Sequence, residues 1–196
     1  MLGATGTVFG FDPRSVFDAL VILFWVSEWL LFARLQPGRE DRHADGGSGR
    51  WIAVAFPLAW AGAWALLHVH QADFGSFTTT RVGLVLMVMG QLLRWWSMAT
   101  LGRLFTVYVA IRDNHHVVDS GPYRYIRHPS YTAILLVHLG AALCLGNALS
   151  AVALLVPVSL ALGNRMRVEE AALSEALGPA YREYMTRTKR LVPGLY

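Results

Sequence analysis

The stretch that decides the fold is Tyr131–Gly163, which reads YTAILLVHLGAALCLGNALSAVALLVPVSLALG. It contains no Asp, Glu, Lys or Arg, and its two apolar runs, 131–145 and 148–163, are separated only by Gly146 and Asn147. A hydrocarbon core about 30 Å thick is crossed by roughly 20 apolar residues in helical form. The two runs therefore predict a pair of membrane helices turned back on each other as a tight hairpin. Moving outward toward the N-terminus, 82–101 repeats the pattern around Gln91 and Arg94, 51–70 repeats it with Ala and Trp, and 16–35 repeats it around Asp18 and Glu28. The expectation is an all-α integral membrane protein with five transmembrane helices in one domain over 1–196. A polar loop, 36–50, carries a flexible Asp-Gly-Gly-Ser-Gly at Asp45–Gly49. A cytosolic connector, 102–129, precedes the fourth span, and 168–187 reads as a C-terminal amphipathic helix.

Composition points the same way. Of 196 residues, 55% are hydrophobic and 15% charged, where a soluble domain carries about 25% charged residues. The mean hydropathy is +0.41. Disorder and an ordinary soluble enzyme are both excluded. The single cysteine, Cys144, excludes a disulfide framework and a cysteine-rich zinc site, and no metal is expected. Residues 1–15 do not read as a signal peptide.

The net charge is +4, and 16 of the 17 basic residues are Arg. No Lys-rich run or aromatic RNA-binding motif accompanies them, so nucleic acid is not the expected partner. Membrane topology explains the excess. With the N-terminus outside, the first loop (Arg39, Arg42, Arg50), the connector (Arg103, Arg112, Arg124, Arg127) and the tail from Arg165 to Arg190 all lie in the cytosol. Arg14 and Arg81 remain outside. An even number of spans would split the basic connector from the basic tail. The expected location is a bacterial inner membrane.

Two stretches carry chemistry. The first runs from His115 to Tyr131, HHVVDSGPYRYIRHPSY. Gly-Pro forces a turn, and Arg-His-Pro starts the fourth helix with Pro near its first turn. A helix N-terminus offers free N–H groups and a positive end, and Tyr and His beside it suit a purine or ribose. Anchoring at the membrane interface accounts for the same residues equally well. The second stretch is Arg165-Met-Arg-Val-Glu169-Glu170, followed by Gly178-Pro-Ala-Tyr181-Arg-Glu-Tyr184. Arg165 and Glu169 share a helix face, which an exposed i,i+4 pair explains as readily as a site.

Together the stretches resemble the isoprenylcysteine carboxyl methyltransferase family of integral-membrane methyltransferases. The resemblance rests on Gly-x-Tyr-x-x-x-Arg-His-Pro-Ser-Tyr (Gly121 to Tyr131), Arg-x-x-x-Glu-Glu (Arg165 to Glu170) and Gly-x-x-Tyr-x-x-Tyr (Gly178 to Tyr184), and covers roughly residues 90–196. It implies S-adenosylmethionine as cofactor, leaving as S-adenosylhomocysteine. By this resemblance His115, His116, Val117 and Val118 fall on a cofactor-binding His-x-Leu-Val, a mild departure. Tyr123, His128, Pro129, Ser130, Tyr131 and Glu169 fall on further cofactor positions. Arg165 falls on an arginine linked to the acceptor, and Arg94 near an important arginine of the third span. No Gly-x-Gly-x-x-Gly follows a strand, in agreement with a cofactor site outside a Rossmann domain.

A carboxylate acceptor is ionised at neutral pH and needs positioning and desolvation, not a base. Arg grips a carboxylate with a planar fork, so Arg94 and Arg165 are the expected catalytic residues. Arg94 also has a structural reading, with Glu28 at similar depth as its ion-pair partner. A phenol or thiol acceptor would need a base, for which His115 and His116 are the available imidazoles. His138 reads as a satisfied bundle histidine, and His68 and His70 as interfacial. The expected reaction is methylation of a lipophilic or prenylated acceptor drawn from the bilayer, with a carboxylate such as an isoprenylcysteine leading. A lipid phenol, a phospholipid amine or a thiol follows. A nicotinamide-dependent sterol reductase and a non-enzymatic scaffold are the remote alternatives.

Overall fold

A computed structural model describes residues 12–34, 45–106 and 116–194. Helix α1 spans Pro13–Arg34, α2 Ser48–Leu66, α3 Phe77–Leu101, α4 Pro129–Leu145, α5 Ala148–Leu177 and α6 Pro179–Arg187. Short 3-10 turns lie at His70–Ala72, Gly102–Leu104 and Gly121–Arg124. Each expected apolar run falls on one of the first five helices. By length and apolarity α1, α3 and α5 suffice to cross a bilayer, whereas α4 is a shorter apolar helix.

Local signals set the helix ends. Asp12 caps α1, accepting from the Ser15 backbone N–H at 3.0 Å. Ser76 and Thr79 form a reciprocal capping box on α3, an arrangement worth about 1 kcal/mol. Gly146 ends α4 in the left-handed region (φ +64°), and the Asn147 side chain caps α5 through the Ser150 N–H at 3.0 Å. Asn147 also donates to the Val69 carbonyl at 2.9 Å and to Asp73 at 2.8 Å, tying the 66–76 loop to the α4–α5 link.

Helices α3 and α4 lie along each other, as do α2 and α5. Lipid tails supply no hydrophobic drive between helices, so close backbone approach through small residues has to hold them. Gly83 and Gly90 provide it. A Cβ on Gly83 would sit 2.5 Å from the Gly140 carbonyl oxygen, and one on Gly90 2.7 Å from that of Ala133. The buried cluster between the helices includes Phe56, Trp60, Met87, Ile134, Leu154 and Leu162. Leu58, Val85, Leu92, Val152 and Leu160 point outward and are exposed, as a lipid-facing surface requires.

The sequence reading ended the fifth helix at Gly163 and started a separate amphipathic helix at 168. Instead one helix of 30 residues runs from Ala148 to Leu177. A lone glycine inside a helix costs only about 1 kcal/mol, too little to break hydrogen bonding flanked by Leu, Ala, Arg and Met. The break falls at Gly178, whose φ of +57° and following Pro179 redirect the chain.

Candidate functional site

The site is assembled where the connector enters α4. Residues 121–124 form the turn that Gly-Pro demands, and the chain then runs beside the C-terminal tail. The Arg127 N–H donates to the Lys189 carbonyl at 2.7 Å and the His128 N–H to that of Arg190 at 3.0 Å. Pro129 opens α4 at a position where its missing N–H costs nothing. Below this junction the Tyr184 hydroxyl donates to the Tyr123 carbonyl at 2.6 Å. Burial, then the charge of Glu169, hold the Tyr123 phenol above the ordinary tyrosine range. Burial likewise pushes Tyr184 up to about 12. Both are neutral donors at physiological pH.

Two adjacent carboxylates on α5 make different contacts, because successive helical residues point about 100° apart. Glu170 is buried and held from three sides. Arg127 Nε lies 2.9 Å from one of its oxygens, Arg190 Nη2 2.7 Å from the other, and His128 Nε2 3.2 Å away. This cluster locks α5 to the start of α4 and to the tail. Glu169 turns the other way. It accepts from the Tyr131 hydroxyl at 2.7 Å, and His128 Nδ1 lies 3.8 Å from it. The His128 ring stacks on Tyr131 at 5.3 Å between centroids.

Both arginines expected to grip an acceptor are already paired. Arg94 donates through Nε and Nη2 to the two oxygens of Glu28, each at 2.9 Å, and through Nη1 to the Ser130 hydroxyl. Arg165 is ion-paired with Asp45 and donates to the Ser48 hydroxyl at 2.8 Å and the Tyr131 hydroxyl at 3.3 Å. Asp45 also accepts from the Gly49 N–H at 2.7 Å, so one carboxylate caps α2 and holds Arg165.

These groups enclose a cavity of about 390 Å³, within the range of small-molecule sites. Its connector side is lined by His116, Val117, Val118 and Tyr123; the helix side by His128, Ser130, Tyr131, Arg165 and Glu169; and its far side by Arg94. Pro129 is buried behind this wall and starts the helix without lining the cavity. His115 lies outside the described residues. Phe24, Trp25, Trp29, Ile52, Phe56 and Ile134 make the rest of the lining apolar. Among the described residues no cluster of His, Cys, Asp or Glu is arranged to hold a metal. The arrangement offers a carboxylate with tyrosine rings for a cationic polar ligand at one end and hydrocarbon surface at the other.

The sequence reading missed Glu170, Asp45 and Ser48. The Glu-Glu pair is a signal that two neighbouring carboxylates share the work. Nothing in the sequence marks Asp45 as the partner of a residue 120 positions away.

A helical membrane scaffold encloses a cavity that is polar at one end and apolar at the other. The profile of the isoprenylcysteine carboxyl methyltransferase (ICMT) family matches residues 83–175. Protein-S-isoprenylcysteine O-methyltransferase B of Arabidopsis thaliana is 36% identical over 191 residues, covering 94% of each chain. A probable protein-S-isoprenylcysteine O-methyltransferase of Oryza sativa subsp. indica is 29% identical over 183 residues, covering 91% of this chain and 94% of its own. The solved structure of the eukaryotic intramembrane Ras methyltransferase ICMT superposes with a TM-score of 0.68 at 23% identity, over 93% of this chain and 67% of that one. The chain belongs to the ICMT family of membrane methyltransferases.

Proposed function

We propose that the chain transfers the methyl group of S-adenosylmethionine to the carboxylate of a lipophilic acceptor such as an isoprenylcysteine. The single observation that carries this reading is the continuity of the cavity, from Glu169 and the tyrosines to the apolar faces of α1 and α2. The residues fit the cofactor. A sulfonium beside an ammonium is drawn to a carboxylate and to aromatic faces, and Glu169, Tyr131, Tyr181 and Tyr123 offer both. Bound there, the cofactor supplies an electrophilic methyl group. Arginine chemistry supports the acceptor. Glu28 takes the side-on pair of Arg94 donors, Nε and Nη2. Arg94 also lines the cavity, and a planar guanidinium is the group that grips a carboxylate. Catalysis on this reading is desolvation and alignment. On this reading the chain crosses the membrane five times with its tail in the cytosol, and the polar end faces the side where the cofactor is made.

The test is transfer of radiolabelled methyl from S-adenosylmethionine into lipid extract by membranes containing the protein, followed by mild base. Label released as methanol identifies a methyl ester and supports the reading. Base-stable label overturns the carboxylate acceptor and directs attention to a phenol, amine or thiol.

A further inference from the structure

The apolar half of the cavity ends on two phenylalanine rings. From α1 it takes Phe24, Trp25, Glu28, Trp29 and Phe32, one face of the helix, and from α2 Ile52, Ala53, Phe56 and Pro57. At 1.5 Å of rise per residue, the span from Phe32 to Phe24 places the deepest ring about 12 Å below the rim. The cavity is thus shallower than half of a hydrocarbon core, about 15 Å.

What stops it is a built wall. The Phe24 ring meets the His138 imidazole edge-on at 5.5 Å and 88°, and the Phe56 ring meets it at 5.1 Å and 74°. His138 is fully buried and held at both nitrogens, with Nε2 3.3 Å from Trp60 Nε1 and Nδ1 2.8 Å from the Ile134 carbonyl. An indole N–H only donates. Nε2 therefore accepts, and Nδ1 carries the proton toward Ile134. The imidazole has no freedom to rotate, and the two phenylalanines rest on a fixed support between α1, α2 and α4. A flexible aliphatic backing would yield to a longer ligand; this one does not.

We infer that Phe24 and Phe56, braced on His138, form a specificity-determining floor that limits the length of the acceptor's hydrocarbon tail. The inference rests on the acceptor reading proposed above. A tail that reaches the floor is desolvated along its whole length, and a longer one has to displace a ring whose support cannot move.

The experiment compares N-acetyl-S-farnesylcysteine with N-acetyl-S-geranylgeranylcysteine as acceptors for the full-length protein in nanodiscs. It reads the ratio of the two kcat/KM values in the wild type, Phe56→Ala and Phe56→Trp. Misfit of a single methylene in an apolar pocket is worth tenfold or more, so the floor predicts that Phe56→Ala shifts the ratio toward the longer tail by about tenfold. Phe56→Trp shifts it the opposite way. Partial unfolding lowers both values together and leaves the ratio alone, so the opposed pair of variants separates a floor from a packing defect. A ratio unmoved in both variants, with a wild type that methylates both compounds, overturns the floor and means that the tail leaves sideways past Trp29. A wild type that methylates neither compound overturns the acceptor reading, and the floor with it.

Discussion

Arg94 on α3 and Glu28 on α1 share a two-point ion pair, with both nitrogen–oxygen distances at 2.9 Å. The pair joins two helices at membrane depth and sits on the cavity wall. It holds α1 to the bundle and fixes the guanidinium plane. Removing one member of a buried pair leaves the other charge uncompensated, at about 3–5 kcal/mol. Glu28→Leu is therefore expected to lower the melting temperature strongly. Glu28→Leu combined with Arg94→Leu should recover much of that stability and none of the methyl transfer. Melting and activity measured on the same preparations check this. Recovery of activity in the double variant would remove Arg94 from the chemistry.

Glu169→Gln keeps the size of the side chain and deletes its charge. A hydrogen bond to a charged group contributes about 1.5–3 kcal/mol, so affinity for S-adenosylmethionine is expected to fall roughly 10- to 150-fold. Glu170→Gln should instead lower the melting temperature, because it loosens Arg127, Arg190 and His128 together. Calorimetric titration with the cofactor separates the two, and equal loss of affinity in both variants would refute the division of labour.

Gly90→Ala places a methyl 2.7 Å from the Ala133 carbonyl and 2.8 Å from a Val137 methyl. Overpacking of this kind costs about 1–3 kcal/mol. Gly90 lies one turn before Arg94, and Ala133 follows Ser130, so the α3–α4 separation should disturb the Arg94–Ser130 hydrogen bond and lower kcat. Gly163→Ala meets nothing within 4 Å and is expected to stabilise the same protein by about 1 kcal/mol. Thermal melts of both variants are the check.

Asp73 connects the loop between α2 and α3 to pH. Its carboxyl is held below the ordinary aspartate range, chiefly by the Asn147 side-chain amide and next by His70. A depressed folded-state value means stability that is present above the unfolded value and lost as pH falls through the folded one. Melting temperature is therefore expected to decline below about pH 4. Asp73→Asn should flatten that acid limb. An unchanged limb in the variant would assign it to other carboxylates.

The apolar helices are legible because lipid dictates composition locally: 131–145 and 148–163 carry no charged residue. The motif from Gly121 to Tyr131 is legible because Gly-Pro and His-Pro impose turn and helix start without help from the rest of the chain. What pairs with what is not legible. Asp45 lies in a stretch that reads as a flexible loop, yet it is buried against Arg165. The choice between Glu169 and Glu170 depends on the angle at which α5 meets α4, which only packing decides. The continuity of α5 past Gly163 was hidden because charge begins there, and charge marks the edge of the bilayer, not the end of a helix.

That continuity ties chemistry to the host bilayer. A helix of 30 residues is about 45 Å long, against a hydrocarbon core of about 30 Å. Glu169 rides on the protruding third of a rod whose other end is seated in lipid. Glu169 lies about 32 Å along that rod, so its position relative to the headgroups depends on a fixed length and a membrane-dependent one. A thicker membrane is therefore expected to draw it toward the lipid and a thinner one to lift it away, a coupling that methyl transfer in bilayers of graded thickness reads out.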